Sequence, residues 1–137
     1  MKKFILGLML VTSLPSFAAI GLNDCKSLLG QYTCAIDGDV LDLSVKKTAA
    51  NTVTIGLADE NSGDAGSYIV DGVTRTEAGG SQIKASCREG GSQIEVLTMI
   101  KGQLEVLSVS TVNPKTVKYS IEKSGSGSSF SFNCTKK

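Results

Sequence analysis

The chain has 137 residues and a net charge of +1, with four cysteines, no histidine and no tryptophan. Without histidine, Ser-His-Asp and Cys-His catalysis are excluded, and so is the commonest metal ligand. Charges of both signs are interspersed. Beyond the N-terminus the basic clusters are confined to Lys46-Lys47 and Lys136-Lys137, so the electrostatic footprint of nucleic-acid binding or of a polybasic membrane contact is missing.

Lys2 and Lys3 precede an apolar run, Phe4 to Leu14, which Pro15 ends. Ser16-Phe17-Ala18 then places small residues where a signal peptidase reads, so residues 1–18 are expected to be a cleaved export signal. The run is too short to span a membrane, which takes about 20 apolar residues. Removing residues 1–18 leaves 119 residues of net charge −1, enough for one domain, 19–137, in the periplasm or secreted. Leu22-Asn23-Asp24-Cys25 has a lipobox leucine, but charged Asp24 stands where a small residue is needed. In an oxidising compartment Cys25, Cys34, Cys87 and Cys134 are expected to be paired as disulfides.

Asp24 and Gly30 mark the start and end of a single helical turn. Strands are expected thereafter at Gln31–Ile36, Val40–Lys47, Thr52–Leu57, Ser67–Val70, Val73–Thr76, Gln82–Arg88, Gln93–Ile100, Gln103–Val112, Thr116–Lys123 and Ser129–Thr135. Asp37-Gly38, Gly79-Gly80, Gly90-Gly91, Lys101-Gly102 and Asn113-Pro114 supply turns, and Asp71-Gly72 is either a hairpin or a bulge in one long strand. Alternation puts Tyr32, Cys34, Leu41, Leu43, Val45, Ile83, Ala85, Cys87, Val117, Tyr119, Ile121, Phe130, Phe132 and Cys134 on inward faces. Short connections favour a meander of about 8–10 strands closed into an up-and-down antiparallel barrel, disulfide-stapled, with a two-sheet sandwich as the alternative. Barrel closure sets the first and last strands side by side, which favours Cys34–Cys134 with Cys25–Cys87. A local Cys25–Cys34 bond with Cys87–Cys134 stays open.

No pattern points to catalysis. Ser and Lys are abundant without a distinguishing spacing, and no Cys-x-x-Cys occurs. The carboxylates Asp37, Asp39 and Asp42, and Asp59, Glu60 and Asp64, fall at or near turns, where Asp is favoured for backbone reasons. Asp59 to Asp64 resembles a calcium loop only loosely: Gly63 comes early and Val70 stands at the twelfth position. Asp59–Gly66 is therefore expected to be an exposed loop indifferent to calcium. No metal and no cofactor is expected. Asp59, Glu60, Asn61, Asp64 and Tyr68 form a candidate binding loop.

The hairpin Ile94–Val112 is apolar on both faces, so one apolar set must point away from the interior. The N-terminal segment (Ile20, Leu22, Leu28, Leu29) is expected to cover it. Otherwise Leu97, Met99, Leu107 and Val109 form a surface for a partner or a second copy.

Leu29-Gly30-Gln31-Tyr32, opening the first strand, resembles the start of a lipocalin-type (calycin) barrel, with Tyr32 in place of the tryptophan of Gly-x-Trp. The resemblance implies a closed barrel whose base is shut by the aromatic ring, with room for a small apolar ligand. Tyr32-Thr33-Cys34 followed by Leu41-Asp42-Leu43 also resembles periplasmic lysozyme inhibitors of the small-barrel type. Their Ser-Gly-x-x-Tyr loop is not reproduced, because Tyr68 lies two residues too far from Ser62-Gly63. A barrel holding many large inward side chains tends to fill itself. The first functional expectation is accordingly a non-enzymatic module that binds a protein, as an inhibitor or envelope interaction protein. The alternative is a carrier of a small apolar ligand.

Overall fold

Segments rich in Val, Ile, Thr, Tyr and Phe, separated by Gly-rich turns, form ten antiparallel strands among the described residues. They are β1 (Gly30–Ile36), β2 (Asp39–Ala49), β3 (Thr52–Ala58), β4 (Gly63–Ile69), β5 (Arg75–Thr76), β6 (Gln82–Arg88), β7 (Gln93–Ile100), β8 (Gln103–Asn113), β9 (Thr116–Lys123) and β10 (Ser129–Lys136). The computed structural model describes residues 22–137, with side chains from Cys25 onward. The expected export signal, its cleavage site after Ala18, and Ile20 lie outside the described residues. A 3-10 helix, Leu22–Leu28, stands where a helical turn is expected.

The sheet order is β4-β3-β2-β1-β10-β9-β8-β7-β6-β5. The meander thus joins its first and last strands, as an up-and-down barrel requires, and is open between β4 and β5. The sheet curls into a half-barrel whose seam is stitched at one end. There Asp71 bridges Ser86, and the Gly72 N–H donates to the Ala85 carbonyl at 2.8 Å. Asp71-Gly72 is therefore neither a hairpin nor a bulge but the link across the seam. Arg75 holds it by donating to both Asp71 carboxylate oxygens, at 2.8 and 2.7 Å. These bonds bring the Asp71 carboxyl down to about 2.

The same end of the barrel is closed. Cys25 and Leu28 of the 3-10 helix are fully buried, and the Tyr32 hydroxyl donates to the Leu28 carbonyl at 2.7 Å. Cys25–Cys87 ties the helix to β6, and Cys34–Cys134 joins β1 to β10 at directly opposed positions. Of the pairings open in the sequence, the structure has the one that barrel closure favours. Of the N-terminal residues expected to cover the outer face of β7 and β8, Ile20 and the Leu22 side chain lie outside the described residues, while Leu28 is buried in the core at the barrel base.

A second correction concerns the acidic segment. The loop ends at Ser62, and Gly63 to Gly66 belong to β4. Their composition is poor for a strand, yet each of the four finds a partner in β3, from Ala58 opposite Gly63 to Ile55 opposite Gly66, so backbone pairing overrides propensity.

Candidate functional site: a half-open cavity in the barrel

The inward face is divided. Towards the closed end, Tyr32, Leu43, Val45, Val53, Ile94, Val96, Val109 and Val117 are buried in a filled core. Towards the other end, Leu57, Tyr68, Leu107, Ile121 and Phe132 are only half-buried, although the register points them inward. Phe130, on the same face, is 52% exposed. Between them lies a cavity of about 240 Å³, lined by Ile55, Leu57, Asp64, Ala65, Gly66, Tyr68, Leu107, Tyr119, Ile121 and Phe130.

Local sequence explains the void. Gly66 sits opposite Ile55 on the inward face and contributes no side chain. A Cβ at Gly66 would collide with the Tyr68 ring, which folds back over it. Across the cavity, Tyr119 and Phe132 are opposed in the β9/β10 register and stack at 5.1 Å between ring centroids. Phe130 packs beside both rings, 6.0 Å from Phe132 and 6.5 Å from Tyr119. The result is an aromatic wall facing an aliphatic one.

The polar groups are few. Burial, reinforced by Tyr68, Asp64 and Glu105, pushes the Tyr119 hydroxyl up to about 12. Burial, then Asp64, Glu105 and Glu77, raises Tyr68 as well. Both phenols are therefore neutral near pH 7 and available for hydrogen bonding. Asp64 lies at the rim opposite Leu57, exposed. Glu105 also faces inward at the rim, with the Lys123 Nζ 3.7 Å from its Oε2.

The candidate residues are redistributed by this geometry. Asp64, Tyr68 and Leu107 come together in the cavity wall. Asp59, Glu60 and Asn61 do not; they line a separate, polar cleft with Asp37 to Leu41. Asp59 Oδ1 accepts from the Asn61 and Ser62 N–H groups at 2.8 and 2.7 Å, which lowers its carboxyl. It is a turn-forming carboxylate. The proposed apolar surface is also split. Lys101 and Gly102 both have positive φ, 50° and 79°, the two-residue turn whose twist suits a hairpin. The turn pairs Ile100 with Gln103, and hence Val96 with Leu107 and Ile94 with Val109. Leu107 and Val109 therefore face inward, Val109 fully buried, while Leu97 and Met99 face out. Leu57 and Ala65 escaped sequence reasoning. The available signal was the run Gly63-Asp64-Ala65-Gly66, small residues where a self-filling barrel needs large ones.

No family model and no curated protein matches this sequence. Solved structures do match. A mutant of the fluorescent protein UnaG aligns with a TM-score of 0.61 and 7% identity, over 82% of this chain and 97% of its own. A Schistosoma mansoni fatty-acid-binding protein in complex with arachidonic acid gives 0.59 and 9%, over 83% and 98%. Echinococcus granulosus fatty-acid-binding protein 1 gives 0.58 and 7%, over 81% and 98%. At such identities the likeness is one of fold. The chain thus shares its fold, an antiparallel up-and-down β-barrel, with the fatty-acid-binding proteins it matches, consistent with the calycin-type barrel that the first strand resembles.

Proposed function

We propose that the protein is an exported carrier of a small apolar ligand, held in the open half of the barrel. One observation carries this reading: apolar side chains that the register turns inward are left half-covered around a cavity, while the other half of the same barrel is filled. Fully burying a Leu, Ile or Phe side chain is worth roughly 1.5–3 kcal/mol, so half-covered ones forgo part of that, which an apolar occupant would recover. A volume of about 240 Å³ lies just under the ~300–1,000 Å³ usual for ligand sites, so the occupant is small. Fold neighbours whose names state fatty-acid binding support the reading. The argument that large side chains fill the barrel applies to one half of it. Export rests on the N-terminal segment and the two disulfides.

Titration with the neutral dye Nile red tests the proposal. Wild type is expected to bind it saturably, and Leu107→Trp, which fills the void, to lose at least about ten-fold in affinity while keeping its fold by circular dichroism. Equal binding by a folded Leu107→Trp would contradict the cavity as the site, and Ile121→Phe is the second variant should the first fail to fold.

The protein-binding reading retains one observation. Leu97 pairs with Val106 and Met99 with Leu104 on the outer face, where Met99 is 39% exposed. Sedimentation of wild type beside Met99→Lys tests it for self-association. A dimer that the substitution dissociates would favour that reading.

A further inference from the structure

The cavity has a sign. Asp64 is the one charged side chain in its wall, and among the described residues it has no ion-pair partner. Glu105 stands at the rim, two residues along β8 from Leu107, and faces the same way. Lys123 is the cation paired across from it, at 3.7 Å, and so is already engaged. The remaining polar groups are the Tyr68 and Tyr119 hydroxyls. The Tyr119 and Phe130 rings border the cavity, with Phe132 packed against both at 5.1 and 6.0 Å.

We infer that the cavity selects apolar ligands with an ammonium head over those with a carboxylate head. The inference rests on the carrier reading above and names its ligand class. A carboxylate entering the mouth meets Asp64 and Glu105, and the nearest cation is already shared. An ammonium meets an unpaired carboxylate beside the Tyr119 and Phe130 rings, and an aromatic ring attracts a cation that reaches its face. Like and opposite charges about 4 Å apart differ in energy enough to change affinity by more than ten-fold, even in water. The tyrosine hydroxyls report the same field. After burial, it is Asp64 and Glu105 that help push them up, and a bound carboxyl would be driven the same way, towards its neutral form.

Three ligands of one chain length separate the possibilities: octylammonium, octanol and octanoate, each displacing Nile red near pH 7 at ~10 mM salt, where the Debye length is ~30 Å. Octylammonium is expected to displace the dye at a concentration about ten-fold below octanoate, with octanol between them. Asp64 is exposed, so Asp64→Asn is expected to fold normally. It should weaken octylammonium more than octanol and shrink the gap at least about three-fold. If octanoate displaces as well as octylammonium while octanol still competes, the charge selection is wrong and the carrier reading stands. An unchanged gap in Asp64→Asn likewise overturns the selection. If neither the dye nor octanol binds, the carrier reading fails, and the selection with it.

Discussion

Tyr32 and Tyr68 both point into the barrel, and they do different work. Tyr32 is 1% exposed and spends its hydroxyl on the Leu28 carbonyl, locking the helix onto the base. Tyr32→Phe leaves that carbonyl without its partner and is expected to cost about 1–2 kcal/mol, read as a lower urea midpoint at unchanged slope. Dye binding should be unaffected, because Tyr32 does not line the cavity. Tyr68 instead lies over Gly66 at the cavity. Gly66→Ala puts a methyl where the ring now rests, so the ring must swing away. Nile red affinity is expected to change several-fold, and an unchanged affinity would show that Tyr68 does not shape the site. The position of Tyr32 was legible from alternation and from the residues around it. That of Tyr68 was less so, because the Gly63–Gly66 stretch before it looks like a loop by composition and becomes a strand only through its partner β3.

At the scale of elements, the β7–β8 hairpin shows how far a sequence pattern reaches. Two apolar faces were evident, but the face of Leu107 hinged on a Lys-Gly turn whose first residue takes a positive φ that lysine seldom adopts. Once that turn is two residues long, every side chain of β8 is assigned. The consequence is an asymmetry between two substitutions. Leu107→Lys places a charge on the inward face and is expected to destabilise by more than about 1 kcal/mol. Met99→Lys, outward and partly exposed, should stay within about 0.5 kcal/mol. Chemical denaturation of both variants measures this. Equal losses would mean that the outer face is also covered. The disulfides were legible for a related reason: inward Cys34 and Cys134 on the first and last strands become neighbours only if the barrel closes.

Across the whole molecule, closure and opening are separated in space. Cys25–Cys87, the 3-10 helix and the Asp71–Ser86 pairing gather at one end, Cys34–Cys134 staples the join of β1 and β10, and the hollow half is at the other end. Each bridge closes a long loop, 62 and 100 residues, so removing either by paired Cys→Ser substitution is expected to cost about 4–5 kcal/mol. All three tyrosines have raised hydroxyl pKa values, chiefly through burial, with Tyr119 at about 12. Above about pH 10 the unfolded chain releases those protons while the folded one keeps them, so stability falls as pH rises from about 10 towards 12. Asp71 acts oppositely: its share is present above 3.8 and is lost as pH falls towards about 2. Melting temperature across pH tests both signs. The hollow half itself was hidden from the sequence, because a count of large inward residues does not reveal that they crowd one end.

Methyl-resolved NMR during titration with octanol tests the central claim most directly. Resonances of Leu57, Leu107 and Ile121 are expected to shift together and saturate, while those of Val45, Val53 and Val117 in the filled half stay in place. Shifts confined to Leu97, Leu104 and Val106 on the outer face, or no saturable shift at all, would contradict a carrier that binds its ligand inside the barrel.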